Sequence, residues 1–527
     1  MRKVVKTEAK ELRRYDPDVV LDAISRTSTW RRKDLKGFAK ALRKEQLNHE
    51  AALRDFQLAF VAKQVLDSYD KPRLSNRRFT WKKLLQACRT LAKHQDPNTY
   101  PIGSSEDLER FLIRVAYQQF PDFYGDNETF ARTRLLFRTC AKSVISKKPF
   151  DIDTAYEAAT GLTLDQTWDL TLALFGLILT SNRGIQLGPL KAGDLRQSIS
   201  DSDIARFVDK ISATPKEFQQ KLRLTEYQVD PFETFNPNPL VNWPLIKLSN
   251  SRWVVPIIPY LFRRGTEQVF YDVIAYAGRE FAAFLGYIFE DYTDRIISAL
   301  GPSYEIIPAK RYTNNGQPCD TCDRIIIKDG NAILLECKTK RLRLRTKFTA
   351  DRKLLREDLT DVGKANDKGT IVHAIRQLYR TKRDMLANCE GLEELSKKIT
   401  GKIYPLVLVL DPYYFANAPY VRGIISDELE KGDPAVKDFS WQIVDTRGFE
   451  SLCALGRHED LISLVATKFS SAELQTHEME TFVDNYISAK QIERSTLAHP
   501  VFITELNGFQ EEIESRYGVK FKSVAGG

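Results

Sequence analysis

Between Cys322 and Thr339 the chain reads DRIIIK-DG-NAILLECK, two strongly apolar, β-branched runs joined by Asp329-Gly330. A two-residue Asp-Gly link between such runs signals a tight hairpin, because the turn needs positive φ and glycine supplies it without steric cost. With Asp329 and Gly330 as the loop, Lys328 faces Asn331 and Asp323 falls opposite Glu336. With Gly330-Asn331 as the loop, Asp323 faces Lys338 instead. Either register brings Asp323, Glu336 and Lys338 to one end of the hairpin. Directly paired Cβ atoms lie about 4.5–5.5 Å apart. Glu336 and Lys338 are two residues apart on a strand, so they share a face while Cys337 points the other way.

Two carboxylates and an ammonium beside buried Ile and Leu are costly unless they bind something. Asp and Glu oxygens suit Mg²⁺, which keeps several waters and uses one or two carboxylates plus a substrate phosphate. Such an ion polarises a phosphodiester and lowers the pKa of a water, and a nearby lysine orients that water or stabilises charge on the phosphorus. The competing reading is an ordinary strand end, with Lys338 in a salt bridge to Asp323 or Glu336. Asp320 competes with Asp323 for the first position, but it falls about three residues beyond the pairing with Glu336.

The surrounding texture predicts more strands and helices. Pro244–Leu248, Trp253–Pro259 and Tyr304–Pro308 read as strands, as do Asp323–Lys328, Ala332–Lys338, Ile403–Leu410 and Ser440–Val444. A long helix is expected over Arg279–Leu300. Another is expected over Lys364–Ala387, with Ile371, Ile375, Leu378 and Met385 on one stripe. The local order is therefore helix, three strands, helix, strand.

D-x(12)-E-x-K across a hairpin, behind a long helix and ahead of an α–β pair, resembles the PD-(D/E)xK nuclease superfamily, with its restriction-endonuclease-like αβββαβ core. The resemblance covers about residues 277–411 of the 527. It implies a Mg²⁺-dependent deoxyribonuclease, with Mn²⁺ able to substitute. In that reading Asp323 and Glu336 hold the metal and Lys338 assists the attacking water. A glutamate on the helix before the first strand often completes the metal site, and Glu290 is the matching residue. Gln377 resembles the glutamine some branches place near the metal, although the tyrosine expected four residues later is Thr381. The motif's proline is absent before Asp323, where Thr321-Cys322 stands. Family analogy also suggests an effector of bacterial defence against phage or mobile DNA, held silent by other subunits.

After Lys338, the run Thr339-Lys340-Arg341-Leu342-Arg343-Leu344-Arg345 alternates arginine with leucine. On an extended segment Arg341, Arg343 and Arg345 face one way, suited with Lys340 to a phosphate backbone. The alternative is a charged edge strand that resists aggregation. Cys319-x-x-Cys322 has no second close pair and reads as reduced thiols rather than half of a metal site. The histidines show no H-x(3)-H or HExxH spacing, and no GxxxxGK[ST], GxGxxG or serine elbow occurs, so no nucleotide cofactor is expected.

Length and charge set the frame around this segment. At 527 residues the chain exceeds one ordinary core, since domains run to about 100–200 residues. Residues 1–150 hold 32 Lys and Arg against 18 Asp and Glu, while the remainder holds 47 against 52. A concentrated positive front attracts polyanions, nucleic acid foremost, though it also suits an acidic protein partner.

Amphipathic stretches at about 30–68, 80–95, 105–119, 128–146, 164–181 and 201–222 make residues 1–226 mainly α-helical. Residues 227–276 read as a connector with short strands, 277–415 as the nuclease core and 416–527 as an α-rich extension. No apolar run reaches the ~18–20 residues of a membrane span. The longest, Leu170–Thr180, reads as a buried helix. MRKVVKTEAKELRR lacks a secretory signal pattern, and seven scattered cysteines argue for a reducing cytoplasm. The expectation is a cytoplasmic, multidomain nuclease acting on DNA, with other protein subunits as further candidate partners. The alternative is a catalytically silent nuclease-like subunit that binds nucleic acid within an assembly.

Overall fold

Among the described residues the first half of the chain is mainly helical, as the apolar spacing predicts. The computed structural model describes residues 10–44, 53–71, 73, 78–94, 102–119, 125–180, 199–225, 237–249, 252–360 and 370–517. The helix Pro17–Lys33 starts at Asp16, whose side chain caps the Asp18 N–H at 3.0 Å, with proline in the first helical position. Helices Leu35–Lys44 and Asp55–Asp67 follow, so the stretch read as 30–68 takes in the last turn of the Pro17–Lys33 helix and these two; residues 45–52 between them lie outside the described residues. Further helices span Trp81–His94, Ser105–Gln119, Asp126–Arg134, Leu164–Thr180, Asp201–Ile211 and Pro215–Thr225. Leu164–Thr180 buries Trp168, Leu170, Leu174 and Ile178. Among the described residues no single helix is long and apolar enough to cross a membrane.

Strands then enter. β1 (Ser212–Ala213), β2 (Leu245–Lys247) and β3 (Trp253–Val254) form a small sheet, β1 parallel and β3 antiparallel to β2. The strand expected through Pro259 stops at Val254, and Ile258–Gly265 is a helix with Pro259 in its first turn. Proline is well tolerated there and would interrupt a ladder. Residues 227–236 and 250–251 of the expected connector lie outside the described residues.

A five-stranded sheet carries the second half. It contains β4 (Glu305–Pro308), β7 (Arg324–Lys328), β8 (Asn331–Lys338), β9 (Ile403–Val409) and β10 (Gln442–Asp445), in the order β10-β9-β8-β7-β4. β4, β7 and β8 are antiparallel; β8, β9 and β10 run parallel. Between β4 and β7 sits a hairpin absent from the expected order, β5 (Arg311–Asn314) with β6 (Gln317–Asp320). Along β8, Ile333 and Leu335 enter one apolar cluster and Ala332 and Leu334 the other, the two-residue alternation of a sheet covered on both faces.

The first cluster packs under α1 (Val269–Ser298), through Phe281, Phe284, Leu285, Ile288, Phe289 and Tyr292. Helix α1 is broken at Gly278, whose φ of 54° and ψ of −124° only glycine adopts readily. Residues between Phe130 and Trp168 of the helical half share that cluster. The second cluster packs under α2 (Ile371–Leu386), where Ile371, Ile375, Leu378 and Met385 are all buried as their spacing predicts. Residues 364–369, expected at the start of that helix, lie outside the described residues. After β9 the chain is mostly helical, from Pro419–Gly432 to Pro500–Tyr517, interrupted by β10.

Candidate active site

The hairpin takes the first of the two registers. Lys328 pairs with Asn331 and Arg324 with Leu335, so Asp323 stands one step beyond the ladder, level with Glu336. Asp329 and Gly330 both have positive φ, 49° and 74°, the signature of a mirror-image two-residue turn. A Cβ on Gly330 would also lie 2.7 Å from Thr400 Oγ1, a second reason for glycine.

The loop entering β7 is pinned before it delivers Asp323. The Cys322 N–H donates to Thr381 Oγ1 at 3.0 Å, and Gln377 Nε2 donates to the Thr321 carbonyl at 2.9 Å. Gln377 therefore touches the backbone two residues before Asp323. Asp323 Oδ2 in turn accepts the Cys337 N–H at 2.7 Å, which fastens this carboxylate to β8 between Glu336 and Lys338.

Glu336 is 2% exposed, and its Oε1 accepts a hydrogen bond from Lys338 Nζ at 2.7 Å. Its Oε2 is buried without a hydrogen-bond partner. Burial, then the negative charge of Asp323, push the Glu336 carboxyl up to about 8 despite the opposing pull of Lys338. Burial likewise raises Asp323, against the Cys337 N–H and the Lys338 charge. For Lys338 burial disfavours the ammonium, but Glu336 and Asp323 outweigh it and raise its pKa. The group thus has two carboxyls for one ammonium, and burial makes Glu336, the less exposed of the two, the acid that holds its proton up to about pH 8.

Glu290 lies on α1, while Glu336 and Lys338 alternate with the residues that face α1. Its carboxylate is 3.7 Å from Arg324, whose guanidinium also grips Asp294 through two nitrogens, one at 2.6 Å. Partial burial and then the charge of Asp323 raise the Glu290 pKa. Among the described residues no three or more His, Cys, Asp or Glu side chains converge as a ready cage for a metal ion. The oxygen donors at this end of the hairpin are the two raised carboxyls, Asp323 and Glu336, with Glu336 Oε2 unpartnered.

The arginine stripe after Lys338 does not form. β8 ends at Lys338, and Leu344–Thr349 is a short helix. Arg341 stacks over the Phe270 ring at 3.7 Å and lies 3.8 Å from Asp411. Arg343 pairs with Glu357 at 2.8 Å and Asp358 at 2.6 Å, and Arg345 is exposed. The turn away from an extended path is fixed by Asp358, which accepts from the Arg343 N–H and from Thr346 Oγ1, and by Tyr413, which donates to the Lys340 carbonyl. Cys319 and Cys322 are free thiols, Cys322 buried beneath α2.

Residues that the sequence left unmarked include Thr381 as an acceptor and Asp294 as the clamp on Arg324. Asp294 stands four residues after Glu290 on the same helix, a spacing that places both on one face. No protein-family model, no curated protein and no solved structure matches this chain.

Proposed function

We propose that the segment 277–415 is a Mg²⁺-dependent phosphodiesterase of the PD-(D/E)xK kind, acting on DNA, with Asp323, Glu336 and Lys338 as its catalytic set. The observation that carries this reading is the unpartnered, buried Oε2 of Glu336 beside a second raised carboxyl and one ammonium. Asp323 and Glu336 would hold the ion, which when bound neutralises phosphate charge and acidifies a water.

Lys338 supplies the cationic hydrogen-bond donor, three N–H groups on a side chain 13% exposed, which holds a water in line or offsets negative charge on the phosphorus. The Cys337 N–H keeps the Asp323 carboxylate from turning away. The basic N-terminal helices would supply sequence-independent attraction for the polyanion. A metal-titrated cleavage assay on linear and circular DNA, run beside Lys338→Ala, tests the reading. Metal-dependent products from the unaltered chain and at least a hundredfold loss in the variant are expected; equal cleavage by both would refute it.

A second reading has its own observation. Glu290 is engaged with Arg324 and no three-ligand cage exists among the described residues. That suits a catalytically silent, nucleic-acid-binding subunit, and salt-sensitive DNA binding without any metal-dependent cleavage would select it.

A further inference from the structure

A cleft of about 760 Å³ opens at the same sheet edge as Lys338, just beyond the C-terminal ends of β8, β9 and β10. Crevices outside the carboxyl ends of parallel strands are where open α/β sheets bind ligands. The Lys338 carbonyl accepts the Leu410 N–H at 3.0 Å, and Leu410 itself lines the cleft. Three residues further along the chain, Arg341 lines it too.

Its wall carries eight Lys and Arg against four Asp and Glu. Arg132 and Arg343 are matched by acids behind the wall, Glu450 for one and Glu357 with Asp358 for the other. The remaining cations share acids. Asp272 serves both Arg264 at 2.8 Å and Lys210 at 3.1 Å, and Asp411 serves both Arg341 and Lys347. Shared carboxylates leave a cationic surplus facing the space, and Arg341 Nε is buried without a hydrogen-bond partner.

Aromatic rings complete the lining. Tyr271 is 41% exposed, and Trp243, with the Lys221 ammonium 3.9 Å from its ring centre on one face, lines the cleft as well. Cationic walls with aromatic faces are the chemistry that holds single-stranded nucleic acid, backbone on the charges and bases on the rings.

We infer that this cleft takes a single-stranded nucleotide segment, so that the substrate of the neighbouring site is nucleic acid with an unpaired end or flap. The substrate assignment rests on the nuclease reading; the binding does not.

The test measures binding to the full chain by fluorescence anisotropy in EDTA, where no cleavage interferes. The probes are a labelled hexathymidylate, a labelled blunt duplex and competing ATP. Lys210→Glu and Tyr271→Ala, both at partly exposed positions, are compared with the unaltered protein after circular dichroism confirms folding. Hexathymidylate is expected to bind, each variant to weaken it about tenfold, and ATP to compete only weakly. Hexathymidylate binding that both variants leave unchanged, or that ATP matches in affinity, overturns the inference. Strand binding that persists while magnesium brings no cleavage keeps the cleft and discards the nuclease reading.

Discussion

Asp323 Oδ2 and the backbone N–H of Cys337 are joined at 2.7 Å, and this one hydrogen bond sets the spacing of the candidate site. It locks a loop carboxylate onto the strand residue that separates Glu336 from Lys338. The two acids are therefore held together by backbone geometry, at a cost visible in their raised pKa values.

That cost gives a pH dependence with a definite sign. Glu336 titrates near its ordinary value in the unfolded chain and at about 8 in the folded one. A carboxyl raised in this way contributes its stability below the unfolded pKa and loses it as pH climbs through the folded value. In EDTA, Glu336→Gln should remove that loss and gain on the order of 2 kcal/mol over the parent at pH 9, with little gain near pH 4. Thermal melts of both proteins at the two pH values read this out.

Added Mg²⁺ should reverse the burden. A cation that binds only the folded chain stabilises it by mass action, and protons compete for the same oxygens. The melting temperature is expected to rise with Mg²⁺ at pH 8.5 and to respond far less at pH 5.5. Differential scanning fluorimetry across a Mg²⁺ series is sufficient, and a response equal at both values would count against Glu336 as a ligand.

Thr381 and Gln377 act through the loop they hold. Thr381→Val leaves the buried Cys322 N–H without its acceptor, a penalty of about 1–3 kcal/mol. Gln377→Ala frees the Thr321 carbonyl at the edge of the same loop. Each is expected to lower cleavage about tenfold with DNA affinity unchanged, because Asp323 loses its placement while the binding surface stays. Parallel cleavage and filter-binding measurements separate the two effects.

Gly330 tests the turn itself. With φ at 74° and Thr400 Oγ1 at 2.7 Å from the position of a Cβ, Gly330→Val strains the backbone and collides at once. A loss of roughly 2–3 kcal/mol is expected in denaturant unfolding.

How far the sequence reveals these features depends on where the deciding partner lies. The Asp329-Gly330 turn is legible because its chemistry is local, and the register that pairs Asp323 with Glu336 follows by counting outward. The stripe of α2 is legible for the same reason, since burial recurs at its spacing. The path after Lys338 is not. Alternation predicts an extended strand, but Asp358, Asp411 and Tyr413, twelve or more residues beyond the residues they hold, bend it into a short helix. The β5–β6 hairpin carries the same local turn chemistry, Asn315-Gly316 with φ of 50° and 76°, but its flanks Arg311–Asn314 and Gln317–Asp320 lack the apolar runs that mark the other hairpin, and it is Tyr312 and Asn314 that fasten it to Asp384 on α2. The cationic cleft draws on helices and strand ends from both halves of the chain, so no local pattern announces it.

The most direct measurement is single-turnover cleavage of supercoiled plasmid at pH 8.5 and saturating Mg²⁺, with the unaltered chain and Glu336→Gln side by side. The account predicts nicked or linear product from the first and at least a thousandfold less from the second, with both proteins folded. Equal cleavage by the two would contradict it.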